Sequence, residues 1–274
     1  MVIWKSLTSY SMSNYVSTFK QFEELELLKA SFTSQSFKPH FHEQFALVLL
    51  EKGRVDYSYK DHQRKAESGT LMLLNPYEVH TGKSIDDQPW DFRSMYISQQ
   101  LFNEVFQEIT AANYVPYFSQ NMIREEKLLL HYQQLHEYLL DETDPALMKM
   151  ALTSLIRELI QVCELTPSQP ENDEQRKAIL LKEYIHEHYL ENIRLDVLGE
   201  EMGLSKYYLI RLFESVYGLS PIRYAINLRI EEAKRLLYQG MKYTEVAYST
   251  GFYDQSHFIR HFKKIVGVTP KAFC

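Results

Sequence analysis

Two short runs of this 274-residue chain carry similar hydrogen-bonding chemistry in similar order. Lys206, Tyr207, Tyr208, Ile210 and Arg211 form one, and Gln255, Ser256, His257, Ile259 and Arg260 form the other. A guanidinium presents paired donors that fit the O6 and N7 acceptors of guanine, and a glutamine amide can bond adenine through two atoms. Arg211, Arg260 and Gln255 thus have the chemistry of base readers, while Ile210 and Ile259 can meet thymine methyl groups. Lys263, Lys264 and Lys271 suit phosphate, a contact that positions a protein without reading sequence. For any one of these residues the plainer alternative is a solvated helix face. A third set, His40, His42 and His80, brings imidazoles that could ligate a metal, bond a small molecule, or simply pack.

The elements that must carry the two runs are written twice. With a shift of 49 residues, Leu209, Arg211, Phe213, Gly218 and Pro221 fall on Phe258, Arg260, Phe262, Gly267 and Pro270. Upstream the shift is 48, pairing Leu198 with Val246 and Gly203 with Gly251. A repeat of this kind marks a duplicated supersecondary unit. Each copy reads as a short helix, a Gly turn that accepts a left-handed backbone, and a second helix opened by Ser205 or Asp254 as N-cap. Val197, Leu198 and Met202 are the expected apolar side of the leading helix in the first copy. Leu209, Leu212, Phe213 and Val216, and then Phe258, Phe262, Ile265 and Val266, give the inner faces of the second helices. Gly199 and Ala247 stand where closely crossing helices leave little room. This is the helix-turn-helix pattern, whose second helix enters the DNA major groove. Between the copies, Ser220-Pro221 starts a helix that Gly240 ends, a rod able to hold two readers about one DNA turn (~34 Å) apart.

Charge agrees with this division. The net charge of −6 is unpromising for a DNA binder, but from Leu204 onward there are 11 Lys/Arg against 5 Asp/Glu, a balance of +6, which leaves −12 on residues 1–203. The two cysteines, Cys163 and Cys274, offer neither a metal-spaced set nor a disulfide framework. The opening residues lack a basic-then-apolar leader, and no stretch approaches 18 consecutive apolar residues, so a soluble, cytoplasmic protein without membrane partners is expected.

The rest of the chain has a different texture. Residues 1 to about 20 read as a polar arm. From Glu24 to Ile97 short runs such as LELLKASF, FALVLLEKG, VDYSY, TLMLL and DFRSMYI are separated by turns, and Val55, Tyr57 and Tyr59 alternate with Asp56 and Ser58. Such spacing predicts a sandwich or barrel. Helical periodicity takes over from 101 to 165, at Leu101, Val105 and Ile109, then over Glu125–Leu140, then over Pro145–Leu165. Leu152, Leu155, Ile156, Leu159 and Cys163 stripe the last of these, either packing inside the chain or forming a dimer face. Thr166 to Gln175, with two prolines and no apolar residue, reads as a linker, and a helix from about Gln175 to Tyr189 follows it.

The runs GLSKYYLIRLFESVYGLSP and GFYDQSHFIRHFKKIVGVTP resemble the DNA-binding domain of the AraC/XylS family of transcription regulators, over Ala178 to Phe273. The resemblance implies that Tyr207, Ile210, Arg211, Gln255, Ser256 and Arg260 face bases, although Ile210 stands where a polar reader is common. Pro39-His-Phe-His42 and Gly69 to His80 resemble the two motifs of the cupin barrel, departing at Asn75 and Tyr77, where Pro and Gly are usual. Metal-dependent cupins hold a divalent ion with two such histidines, a carboxylate and a later histidine; here Glu43 is a poor carboxylate because it alternates outward. Sensor cupins on AraC-type domains bind a small effector instead, and the last strand, Trp90 to Ile97, supplies further contacts at Phe92 and Ser94.

The resulting expectation is a multi-domain chain. Residues 1–165 form an all-β cupin-like barrel with flanking helices, 166–175 a linker, and 176–274 an all-α domain with two helix-turn-helix units joined by a long helix. The function implied is an effector-modulated transcription regulator that binds promoter DNA as a homodimer, with RNA polymerase as a further candidate partner. His40, His42, His80, Phe92 and Ser94 are the effector contacts, and no metal, cofactor or catalytic residue is assigned. Two rivals remain at this level: a metal cupin enzyme recruited to DNA, and a constitutive DNA binder with a purely structural barrel.

Overall fold

The computed structural model describes residues 3–5, 14–22, 24–33, 36–59, 62–85, 88–163, 165–167 and 172–273. The chain opens with β1 (Ile3–Lys5), β2 (Asn14–Phe22), β3 (Leu25–Phe32), β4 (Ser36–His40) and β5 (Phe45–Lys52). Next come β6 (Arg54–Tyr59), β7 (His62–Glu67), β8 (Thr70–Leu74), β9 (His80–Ser84) and β10 (Trp90–Ile97). After α1 (Gln99–Thr110), β11 (Pro116–Phe118) and β12 (Met122–Ile123) come α2 (Glu126–Asp141), α3 (Pro145–Val162) and β13 (Leu165–Pro167). The remainder is helical: α4 (Asp173–His188), α5 (Leu195–Met202), α6 (Lys206–Tyr217), α7 (Pro221–Tyr238), α8 (Tyr243–Ser249), α9 (Gln255–Val266) and α10 (Pro270–Phe273).

The larger sheet runs β1-β2-β3-β10-β5-β8-β12 and the smaller β4-β9-β6-β7, with every pair antiparallel. The run FALVLL shows why the larger sheet is central. Alternate side chains leave a strand on opposite faces, so a strand covered on both sides reads as unbroken apolar sequence. Phe45, Leu47 and Leu49 pack under the helices with Phe102, Leu128 and Leu155. Ala46, Val48 and Leu50 face the smaller sheet with Val55, Tyr57, Trp90 and Phe92. Arg93, buried on β10, pairs with Glu51 of the neighbouring β5 at 2.5 Å and ties the sheet to α2 through Glu137 at 3.0 Å. The stripe Leu152, Leu155, Ile156, Leu159 and Cys163 is buried in the same core, so it packs inside the chain rather than offering a dimer face.

Several expectations are corrected. The supposed arm of residues 1–20 contains β1 and β2, with β2 paired along β3. A register shift between Val16 and Thr18 breaks the two-residue alternation by which a strand is recognised. The linker is shorter than its composition implied, because Leu165–Pro167 pairs with β11 and Asn172 already caps α4 through the amide of Gln175. β4 ends at His40, and His42 follows two residues beyond it. Val197 is exposed, leaving Leu195 and Leu198 as the buried face of α5. Cys274 lies outside the described residues, as do the side chain of Tyr59 and residues 168–171 of the linker.

The duplicated half folds as its local signals predict. Ser205 accepts from the Tyr208 amide and Asp254 from the His257 amide, and Gly203 and Gly251 hold φ of +64° and +74°. Pro221 opens α7, although Ser220 makes no side-chain capping bond. Crowding at Gly199 comes from the turn itself, since a Cβ there would lie 2.6 Å from the Leu204 carbonyl oxygen. Arg229, on α7, donates to the carbonyls of Tyr189, Gly251 and Glu191 at 2.5, 2.6 and 2.7 Å, tying the end of α4 and the second turn to the rod.

The two turn glycines should differ in their tolerance of a side chain. At Gly203 nothing lies within 4 Å, so Gly203→Ala is expected to cost only left-handed strain, about 1–2 kcal/mol. At Gly251 a Cβ would also meet the Leu190 carbonyl oxygen at 2.5 Å, and Gly251→Ala should lower Tm clearly further. Equal losses in thermal unfolding would contradict this. His136 sets a pH limit: burial, with help from Arg93, lowers its pKa to about 4. The folded state therefore binds fewer protons than the unfolded one, and stability from this group is present above pH ~6.5 and lost as pH falls towards 4. His136→Gln should flatten the unfolding free energy over that interval.

Candidate functional site

The second helices of the two repeats each divide into a buried and an open side. On α6, Leu209, Leu212 and Phe213 are buried, Lys206, Tyr207 and Arg211 are exposed, and Tyr208 and Ile210 are half-buried. On α9, Phe258, Phe262 and Ile265 are buried; Ser256, Arg260, Lys263 and Lys264 are exposed, and Gln255, His257 and Ile259 half-buried. Tyr207 is 79% exposed, too open to be a core aromatic. Lys206, Tyr207, Arg211, Ser256 and Arg260 thus stand clear of the cores, whereas Ile210 and Ile259 sit at their edges and pack partly against them. At 1.5 Å per residue the 18-residue α7 between them spans roughly 27 Å.

A cavity of about 120 Å³ lies inside the barrel. Its apolar wall includes Phe32, Phe37, Trp90 and Phe92, whose rings pack 5.0–5.9 Å apart. At the polar end His40, His42 and His80 gather with ring centroids 4.3, 5.1 and 5.2 Å apart, and Tyr96 lies 4.8 Å from His42. Phe92 and the three histidines thus share one cavity wall. Ser94 does not: it is buried on the same strand but outside the cavity lining, and its carbonyl takes a bond from His136. Glu43 also stays out of the wall.

The helical half completes this cavity, which sequence reasoning missed. Glu231 and Lys234 of α7, Ile265 and Val266 of α9, and Val268 and Phe273 beyond it all line the space. Lys234 is buried between two carboxylates, Glu231 at 3.1 Å and the barrel's Glu26 at 3.8 Å. Burial opposes its charge, but Glu231 and Glu26 outweigh that and hold its pKa above the usual lysine range. Burial raises the Glu231 pKa, with Lys234 offsetting only part of the effect because it is shared. Burial lowers the pKa of all three cavity histidines, His80 to about 4, so the imidazoles are neutral near pH 7. The 4.0 Å separation of His42 Nδ1 from Glu231 is accordingly not an ion pair.

Outside the cavity, Phe41 leaves the barrel to join the core of the first repeat, 4.5 Å from the Tyr224 ring. Tyr77 holds φ +61° at the point where the cupin motif usually has Gly. Its ring packs on Phe41 and His186 and lies under Lys182, contacts that a glycine would forgo. No spacing rule marks Phe41, Glu231 or Lys234; the only sequence signal is a Lys and a Glu on the otherwise apolar side of α7.

Known proteins share this arrangement. A family model described as an AraC-like ligand binding domain matches residues 24–182, and one described as a helix-turn-helix domain matches residues 198–274. The chain belongs to the AraC family. The HTH-type transcriptional regulator YbfI of Bacillus subtilis (strain 168) is 36% identical over 228 residues, 81% of this chain and 82% of YbfI. ToxT from Vibrio cholerae O395 superposes with a TM-score of 0.60 at 16% identity, covering 92% of this chain and 97% of ToxT. Unsaturated fatty acid bound ToxT from Vibrio cholerae strain SCE256 gives 0.56 at 15% identity, covering 96% and 95%. At these identities the likeness to ToxT concerns the fold. As an AraC-family member the chain is a DNA-binding transcription regulator with a ligand-binding N-terminal domain. Among the described residues no helix is long and apolar enough to cross a membrane.

Removing the Lys234 ammonium would leave two carboxylates buried against each other. Lys234→Ala is expected to cost about 3–5 kcal/mol in urea unfolding, with part of the loss recovered when Glu26→Gln and Glu231→Gln are added. A loss below about 1 kcal/mol would mean that this cluster does not hold the two halves together.

Proposed function

We propose that this AraC-family regulator reads promoter DNA with Lys206, Tyr207, Tyr208, Ile210 and Arg211 of α6 and Gln255, Ser256, His257, Ile259 and Arg260 of α9. Lys263 and Lys264 contact phosphate. A small effector, held by His40, His42, His80 and Phe92, sets how well the helical half docks on the barrel. The observation that carries this reading is the shared wall: α9 exposes Arg260 on one side while its Ile265 and Val266 line the cavity. A ligand shifts DNA affinity only if it binds one docking arrangement better than another. A coupling of about 1–3 kcal/mol corresponds to a 5–150-fold change in affinity.

The cavity volume favours a compact effector. At about 120 Å³ it is near the size that takes a benzene ring and below the roughly 300–1,000 Å³ of drug-sized sites. The fatty acid held by ToxT is larger, and its carboxylate would have to displace Glu26 or Glu231 from Lys234 here. We divide the chain between Pro167 and Asp173, with the sensor before and the DNA reader after. Exposed Leu130 and Tyr138 on α2 and Leu147 and Met150 on α3 support a homodimer formed through the barrel's helices. The barrel is assigned sensing rather than catalysis, the protein is cytoplasmic, and RNA polymerase is a partner at the promoter.

Selection of bound DNA from a random library at two salt concentrations would define the site, because phosphate contacts weaken steeply with salt. Arg260→Ala should then lower affinity for the selected site by about 1–3 kcal/mol and relax preference at one base position. Equal weakening on selected and random DNA would reduce Arg260 to a phosphate contact.

A further inference from the structure

The three histidines at the polar end of the cavity are arranged as donors rather than as packing. His40 Nδ1 lies 2.8 Å from the Lys38 carbonyl oxygen and His80 Nδ1 lies 3.0 Å from that of Glu78. A carbonyl can only accept, so in each ring the proton sits on Nδ1 and Nε2 is left as the lone-pair nitrogen. Backbone carbonyls that fix a tautomer in this way are the usual outer support of metal-bound histidine. His42 completes the triangle, its Nδ1 buried without a hydrogen-bond partner.

One ring nitrogen from each of the three residues lies within 4.8 Å of the other two. Nitrogens bound to one ion at ~2.0–2.1 Å in a tetrahedral shell lie roughly 3.3 Å apart, a contraction that side-chain rotation can supply. The fourth corner comes from the other half of the chain. Glu231 Oε1 stands 4.0 Å from His42 Nδ1, too long for a hydrogen bond but within the span of two ligands sharing one ion. The charge balance also favours a cation. Glu26, Glu231 and Lys234 leave the buried end one negative charge in excess, so an added anion would be repelled there.

We propose that His40, His42 and His80 bind a divalent first-row transition metal ion and that Glu231 closes the site from α7, joining the sensor barrel to the DNA-reading rod. Three imidazoles and one carboxylate suit zinc and its neighbours, whereas calcium and magnesium require oxygen ligands. Bound metal releases Glu231 from its share of Lys234, which Glu26 retains. The organic effector, if bound together with the ion, occupies the aromatic wall beyond Phe37. The metal site shares its cavity with the effector reading and rests on it only for the consequence that occupancy alters DNA binding.

The test uses the full-length chain stripped with chelator and titrated with zinc chloride or cobalt(II) chloride, with magnesium chloride as control. Calorimetry should show one ion per chain for zinc and cobalt and none for magnesium, and the cobalt form should give the visible absorption of a tetrahedral site. His40→Ala with His80→Ala should abolish stoichiometric binding while circular dichroism remains that of the parent. Glu231→Gln should weaken binding tenfold or more, and His42→Ala provides an independent check should Glu231→Gln disturb folding. Absence of zinc binding to the parent chain, or binding unchanged in the double histidine variant, overturns the site. Tight binding unaffected by Glu231→Gln, with the same DNA affinity in metal-free and zinc-loaded protein, overturns the bridge between the two halves. A thermal-shift screen of small organic compounds on metal-free protein separates the readings. Stabilisation there without any zinc response rejects the metal site and leaves the effector reading standing, and a zinc response alone does the reverse.

Discussion

Lys234 gives up water to sit between Glu231, on its own helix, and Glu26, on the barrel. Burying charges is costly, and attraction in a dry site repays the cost only with close partners and good geometry. Here the repayment depends on the two halves being in contact, because neither half alone supplies all three groups. The nearness of α9 to β4 of the smaller sheet accompanies this arrangement. Two neighbouring features lean the same way. Phe41 completes an apolar core that belongs otherwise to the first repeat, and the Tyr238 hydroxyl reaches Glu26 at 3.3 Å. Docking is thus fixed by apolar contact at one edge and by charge at the other.

Much of the helical half was legible because its rules are local. The turn glycines, the capping Ser205 and Asp254 and the apolar stripes of α6 and α9 each depend on residues within a few positions of one another, and each appears where expected. The run FALVLL was legible as a strand, while its burial on both faces emerged only with the fold. Failures came where the cause was distant or where the period was broken. The register shift in β2 hid a strand, and Leu165–Pro167 was drawn into a pair with β11 that its composition does not advertise. Arg229 carries no local signal of its role, because the three carbonyls it donates to, those of Tyr189, Gly251 and Glu191, are distant in sequence. Of the cavity wall, the histidines came from the two motifs and Phe92 from the likeness of the last strand to that of sensor cupins, while the part given by α7 and α9 needed the tertiary structure.

Tyr77 shows how a departure from a motif can carry meaning. A left-handed backbone at a bulky residue costs of order 1–3 kcal/mol and persists only where its surroundings over-determine it. Those surroundings are Phe41, His186 and Lys182, two of them on α4. A position that serves only to turn the chain in a free-standing barrel has here become part of the seam between two bodies. Strain in the barrel loop is offset by packing against the reader.

Because α9 lines the cavity with Ile265 and Val266 and presents Arg260 to the outside, the two surfaces are one helix diameter apart, ~10–12 Å. No relay of intermediate residues has to be tuned, and the segment joining the halves need only keep them from drifting apart. The inner surface of α9, by contrast, serves both the cavity and the core of the second repeat. On the reading proposed above, a substitution there that enlarges the chamber also bears on the helix assigned to the operator, so what is sensed and which genes respond are coupled through one element.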